Sequence, residues 1–259
     1  TDGAKQFGIL IGSVRDATKS VGNLGMSNDQ MAVFTAQQVK VAVAQGFKGK
    51  QAQEVVTKNS RVLGEELDNL ANRTGKSVLE LAQAATKLAQ DPIVANFVRS
   101  AKEGGKEVSA AVQSFAAGMS GLFGEYGEKA ATDAAQSAMS GLPLVITQTG
   151  KNMILATSGF YNELERQAQA AAKGEKQTDA DRARLRSMIV EEVKARKTEL
   201  NQYAMLGGPM GESAKQMLAM ANAAESYNDA ENVKRRAQDK TAQEFNAAVR
   251  DFQANLQAL

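Results

Sequence analysis

The sequence predicts an all-α protein, a multi-helix bundle that ends in a long-helix hairpin or coiled-coil segment. Three observations lead there. Only 3 prolines interrupt 259 residues, so few positions forbid a helix. The long stretches are dominated by Ala, Gln, Lys, Glu, Arg and Leu, all favourable in helices. Hydrophobic residues make up 43% of the chain while aromatics reach only 5% and Trp is absent, so the interior is thin and suits closely packed helices.

The elements follow in order. Residues 4–22 carry Phe7, Leu10, Ile11, Val14 and Val21 at near-helical spacing, and Gly8 with Gly12 forms a small-xxx-small step that reads as a close helix contact. Ser27 with Gln30 three residues later is a capping box for a helix to about Gln45, with Met31, Phe34, Val41 and Ala44 on its buried side. After the turn at Gly46–Lys50, residues 51–72 present Val55, Val56, Val62, Leu63, Leu67 and Leu70. Gly75 then reads as a helix stop, and Ser77 with Glu80 as a second capping box. Its helix carries Val78, Leu81, Ala85 and Leu88 and ends before Asp91-Pro92, and residues 93–102 form a short helix halted by Gly104-Gly105.

From 106 to 141 Ala, Ser and Gly crowd the chain and specify a helix weakly; the glycine-rich stretch 118–127 reads as loop or close helix packing. Leu142–Thr147 is the single β-rich run. Residues 151–172 read as a helix through Met153, Ile154, Phe160, Tyr161 and Leu164. The polar link Lys173–Gln177 divides the chain into an Ala/Gly-rich helical region, 1–172, and a long helical hairpin or coiled-coil region, 178–259. Thr178 or Asp179 caps a charged helix to Leu206 with Leu185, Ile189, Val193, Leu200 and Tyr203 in a narrow stripe, and Gly207-Gly208-Pro209 turns the chain. The last helix, 211–257, ends in Phe245, Val249, Phe252, Leu256 and Leu259 at alternating steps of four and three. Continued backward, that frame passes through Ala242, Gln238, Arg235, Glu231, Asn228, Ala224, Ala221 and Met217, so the seam is polar in the middle, and the C-terminal five are the expected partner-binding residues.

Chemistry is scarce. With no His and no Cys, the Ser-His-Asp and Cys-His relays, the usual zinc sites and disulfides are all excluded, and no catalytic, cofactor or metal residues are assigned. Thr74-Gly75-Lys76-Ser77 matches the tail of a phosphate loop, but Leu70 stands where the leading glycine belongs and a helix precedes it. Glu65-Glu66 with Asp68, and Glu191-Glu192, read as solvated helix faces. Net charge is +2 with 31 basic and 29 acidic residues interspersed, and the clusters Lys194–Lys197 and Lys234–Arg236 lack stacking aromatics, so no sequence-specific nucleic-acid binding is expected. No apolar run reaches the roughly 20 residues that span a bilayer. The opening at Thr1 reads as a processed product or a segment of something longer.

Ala/Gln/Lys-rich helices broken by glycine and Ala/Ser segments, with Leu24-Gly25-Met26-Ser27 and Thr74-Gly75-Lys76-Ser77-Val78-Leu79-Glu80-Leu81-Ala82, resemble segments of phage tail tape-measure proteins. The texture is similar also to phage internal ejection proteins. The resemblance implies a non-enzymatic helical virion component, packed inside a tail tube with copies of itself or partner subunits and released during genome delivery. An alternative is a membrane-active translocation or ejection factor, suggested by the small apolar residues of 106–160.

Overall fold

The computed structural model describes residues 2–19, 25–141 and 158–227. Among them it forms nine helices and no strand. These are α1 (Asp2–Thr18), α2 (Asn28–Ala44), α3 (Gly49–Thr74), α4 (Val78–Ala89), α5 (Pro92–Glu103), α6 (Ser109–Ser140), α7 (Gly159–Ala172), α8 (Asp179–Leu206) and α9 (Gly208–Tyr227). The β-rich run 142–147 and the partner-binding residues Phe245, Val249, Phe252, Leu256 and Leu259 lie outside the described residues.

Local chemistry sets most helix starts. The Ser27 hydroxyl accepts from the amide of Gln30 while the Gln30 side chain accepts from the amide of Ser27 at 2.8 Å, closing the capping box. Ser77 and Glu80 repeat the arrangement for α4, and Thr178 with Asp181 for α8. Asp91 caps α5 through the amides of Ile93 and Val94, with Pro92 in the first turn where its missing N–H costs nothing. Between α3 and α4, Gly75 takes φ 68° and donates its amide to the Ala71 carbonyl, so Thr74–Ser77 is a helix stop followed by a cap.

The Ala/Ser/Gly stretch that specifies a helix only weakly is the centre of the molecule. α6 runs 32 residues and packs against α3, α4, α5, α7, α8 and α9. Its small side chains let several neighbours approach at once, and burial on most faces supplies the stability that intrinsic propensity does not. A Cβ placed on Gly121 would stand 2.9 Å from the Thr74 methyl of α3, which shows how close the helices come. α6 is bent at Gly124, where φ 63° and ψ −144° interrupt the helical run.

Apolar side chains gather into two clusters. One joins Leu10, Val14, Phe34, Leu63, Leu67 and Leu81 with Ala117 of α6; the other runs from Leu88 through Phe115, Phe123, Phe160 and Leu164 to Ile189, Leu200, Met217 and Met220. The second cluster draws on helices from both sides of the polar link 173–177. That link is tied down by Gln177, whose Nε2 donates to Gln167 Oε1 at 2.7 Å. Where the clusters meet, Gln45 of α2 exchanges hydrogen bonds with the Ser109 hydroxyl of α6 at 3.0 and 3.1 Å, and Gln113 donates to the same hydroxyl.

The chain reverses at Gly207-Gly208, and α8 and α9 run back along each other, with the Arg186 guanidinium 4.0 Å from the Tyr227 ring centre at the far end. Met217, Ala221 and Ala224, the described part of the backward heptad frame, are buried.

Two expectations are corrected by the packing. Among the described residues nothing lies within 4 Å of a Cβ built on Gly8 or Gly12, because α1 buries Leu10 and Val14 on another side, so the glycine step makes no close contact with any described helix. Ala44 is exposed, and the buried side of α2 is completed by Thr35, Gln38 and Gln45.

Candidate functional site

Two networks of charged side chains join helices among the described residues. Glu66, expected on a solvated face, instead accepts from Arg182 Nη1 at 3.0 Å, with the two side chains 15% and 10% exposed. Arg182 also donates to Asp179 at 2.8 Å, and Asp179 pairs with Arg73, so α3 and the start of α8 are joined by a four-member ionic chain. A half-buried pair of this kind chiefly fixes which surfaces meet, since desolvation offsets much of its Coulomb gain. Glu192, the other expected solvated carboxylate, accepts from the backbone amide of Phe160 at 3.3 Å and pairs with Arg196. Glu65 and Glu191 remain exposed.

A second network joins α7 to the start of α8. The buried carboxylate of Glu163 accepts from Arg166 at 2.6 and 3.0 Å and from Gln167 at 2.9 Å, and Arg166 reaches on to Asp181. The Arg166 hydrogen bonds hold the Glu163 carboxyl below the usual glutamate range against the opposing effect of burial, with Gln167 and the charges of Arg166 and Arg184 adding to the shift. At Asp181, burial opposes ionisation but is outweighed by the hydroxyl and amide of Thr178 and by Arg166, so its pKa is also lowered. Carboxylates with depressed folded pKa values contribute stability that is present above their unfolded pKa and lost as pH falls through the folded one. The unfolding midpoint is therefore expected to hold steady from pH 8 to about 5 and to drop below roughly pH 4.5, with a shallower acid limb in Glu163→Gln. A wild-type profile flat to about pH 3, followed by circular dichroism, would contradict this linkage.

Deep in the second cluster, Tyr161 is buried beside Asp133, and Gln216 donates to its phenolic oxygen at 3.4 Å. Burial, reinforced by the Asp133 charge, raises the Tyr161 pKa well above its ordinary value. Among the described residues no group of three or more Asp and Glu is placed to hold a metal ion, and no helix is long and apolar enough to cross a membrane.

Surface grooves remain among the described residues, and one of about 440 Å³ is polar, lined by Gln37, Lys40, Gln83, Lys87 and Asp91. α1 lies on α3 through Leu10 and Val14, leaving a groove of about 1120 Å³ beside them. Its apolar lining is Ile9, Leu10, Ala17 and Val62, and its rim carries Asp16, Glu54 and Glu65 with Lys58 and Arg61. Ile9 is 62% exposed. On the other flank of α1 a smaller groove, about 390 Å³, is lined by Phe7, Val39, Val43 and Phe47. At the α8–α9 turn, Met205 and Leu206 are 86% and 79% exposed, with Met210 beside them across the glycines.

Large apolar side chains left in water are stabilised when another apolar surface covers them. No family model, no curated protein and no solved structure matches this chain. The groove and the exposed turn were not legible in the sequence. Ile9 is one more apolar residue in an amphipathic helix, and only the angle at which α1 meets α3 leaves it uncovered.

Proposed function

We propose that this chain is a non-enzymatic structural and interaction protein, a phage virion component of tape-measure character whose helices pack with copies of itself or with partner subunits inside the tail. The observation that carries it is the apolar α8–α9 turn, where Met205 and Leu206 stand almost fully in water at the end of a 28-residue helix. A turn facing solvent for its own sake would carry polar residues at those positions. Flexible methionine and leucine side chains at an exposed tip suit insertion between the helices of a neighbour.

Support also comes from how the polar side chains are used. Ionic groups of α3, α7 and α8 are engaged with one another where these helices meet. The membrane alternative drew on residues 106–160. Most of Ser109–Ser140 is instead buried against other helices, so its apolar groups already have an occupant.

Light scattering on the purified chain, together with fractionation of phage particles, tests the proposal. A multi-chain species at tens of micromolar, or co-purification with particles after a high-salt wash, is expected. Met205→Ser with Leu206→Ser should shift the distribution toward monomer without changing the unfolding midpoint, because both side chains are exposed. A strictly monomeric chain absent from particles would reject the reading.

A further inference from the structure

We infer that the smaller groove beside α1 takes the tail of a free single-chain aliphatic anion, a fatty acid of medium length, with its carboxylate held at Lys48. The inference stands apart from the association assigned to the α8–α9 turn.

The groove forms where three helices meet. Val39 and Val43 stand one turn apart on α2, off the side that carries the buried Phe34, Gln38 and Val41. Phe47 follows in the turn, Ala52 belongs to the start of α3, and Phe7 and Leu10 close the third side from α1. Leu10 and Phe47 are buried and form the floor, while Phe7 and Val39 are half-buried and Val43 is 60% exposed. The floor is held in place from behind. The Lys102 ammonium of α5 lies 3.3 Å from the centre of the Phe47 ring, and the Phe47 amide donates to the Ala42 carbonyl at 3.0 Å. A slot so fixed is ready for a flexible chain, which then bears most of the ordering cost of binding.

Charge decides the kind of ligand. Lys48 is the single charged residue in the lining, and no carboxylate joins it there. Lys102 stands at the same turn, and a Cβ placed on Gly46 would meet the Arg99 side chain at 3.0 Å, so the cations of α5 lie close by. A tail ending in an anion is therefore favoured over one ending in a cation.

Size and depth separate this ligand from larger partners. At about 390 Å³ the groove falls within the roughly 300–1000 Å³ that accepts a small molecule. A docking helix needs anchors over at least two turns, about 10 Å, whereas Val39 to Val43 covers one turn, about 6 Å. A membrane contact needs apolar groups that project, and Leu10 and Phe47 are recessed.

Isothermal titration calorimetry of the full chain with decanoate, kept below its micelle concentration, tests the inference. A saturable one-to-one heat is expected, with the far-ultraviolet circular dichroism unchanged. Val43→Asp sets a charge against the tail at an exposed position, where the fold tolerates it, and should weaken decanoate binding at least about tenfold. Lys48→Gln should weaken it roughly two- to fivefold, as expected for an exposed ion pair. Decyltrimethylammonium, with the same tail and the opposite charge, should bind at least about fivefold more weakly than decanoate and lose nothing in Lys48→Gln. No saturable heat with decanoate, equal affinity in Val43→Asp, or a cationic amphiphile held as tightly as the anion would overturn the inference. So would flotation of the chain with phosphatidylglycerol vesicles without decanoate binding, which would make the surface a membrane contact. Met205→Ser with Leu206→Ser should leave the decanoate heat unchanged, so the two readings fail separately.

Discussion

Replacing Gly127 with alanine is expected to lower the unfolding free energy by about 3 kcal/mol, although it adds a single methyl group to a helix. The cause lies three residues earlier. At Gly124 the backbone takes φ 63° and ψ −144°, a combination nearly confined to glycine, and α6 changes direction there. The bend brings the second half of α6 back against the end of the first, so that a Cβ on Gly127 would overlap the carbonyl oxygen of Met119 and stand 2.8 Å from Phe123 Cβ. A carbonyl held in a buried helix cannot move aside as a flexible side chain tip can. The bend must open instead, and because α6 packs on six other helices the cost spreads through both clusters. Gly12→Ala provides the contrast, since nothing lies within 4 Å of the added methyl and its backbone is ordinary helix. There the same change should be neutral or stabilise by up to about 1 kcal/mol. Urea denaturation of both variants reads the two effects. Similar midpoints for Gly127→Ala and wild type would show that the bend is not fixed as described.

What could be read from the sequence divides by the range of the interaction responsible. The starts of α2 and α4 were legible because a capping box is settled within four residues, and Ser27 and Ser77 each carry the required partner three positions on; at α8 the sequence offered Thr178 or Asp179, and Thr178 is the cap, with Asp181 as its partner. The stop at Gly75 belongs to the same class. α6 was not legible. Gly, Ser and Ala are equally the residues of a loop, and what makes Ser109–Ser140 a helix is burial against six other helices. Gly8 and Gly12 misled for the same reason, because small residues permit a close approach without specifying it. Glu66 and Glu192 looked solvated since their partners, Arg182 and the amide of Phe160, lie 116 and 32 positions away. The groove beside α1 depends on how two helices meet, and no local pattern encodes that angle. The Phe245–Leu259 stripe is the reverse case: its pattern is plain in the sequence, and it lies outside the described residues.

Truncation of Phe160 to alanine should cost about 4 kcal/mol, among the largest losses available in this chain. With 9 Phe, 4 Tyr and no Trp in 259 residues, alanine fills much of the interior, so each buried ring carries a large share of the apolar contact area. Phe160 is fully buried at the junction of α6 and α7, edge-on to Phe123 at 5.8 Å and to Tyr161 at 5.7 Å between ring centres. Its position is fixed from the backbone as well, by the Ser158 cap of α7 and by Glu192 accepting from its amide. Those restraints hold α7 in place, so the cavity cannot collapse readily and most of the void penalty remains. Each lost ring pair adds roughly 0.5–1.5 kcal/mol to the transfer and cavity costs. Phe160→Leu keeps most of the volume and should lose only about 1–1.5 kcal/mol. The comparison is made by urea denaturation with the slope unchanged, so that the midpoint alone carries the difference. A loss below about 1 kcal/mol for the alanine variant would mean that the α6–α7 junction repacks freely, and that the aromatic trio does not set how the two helices meet.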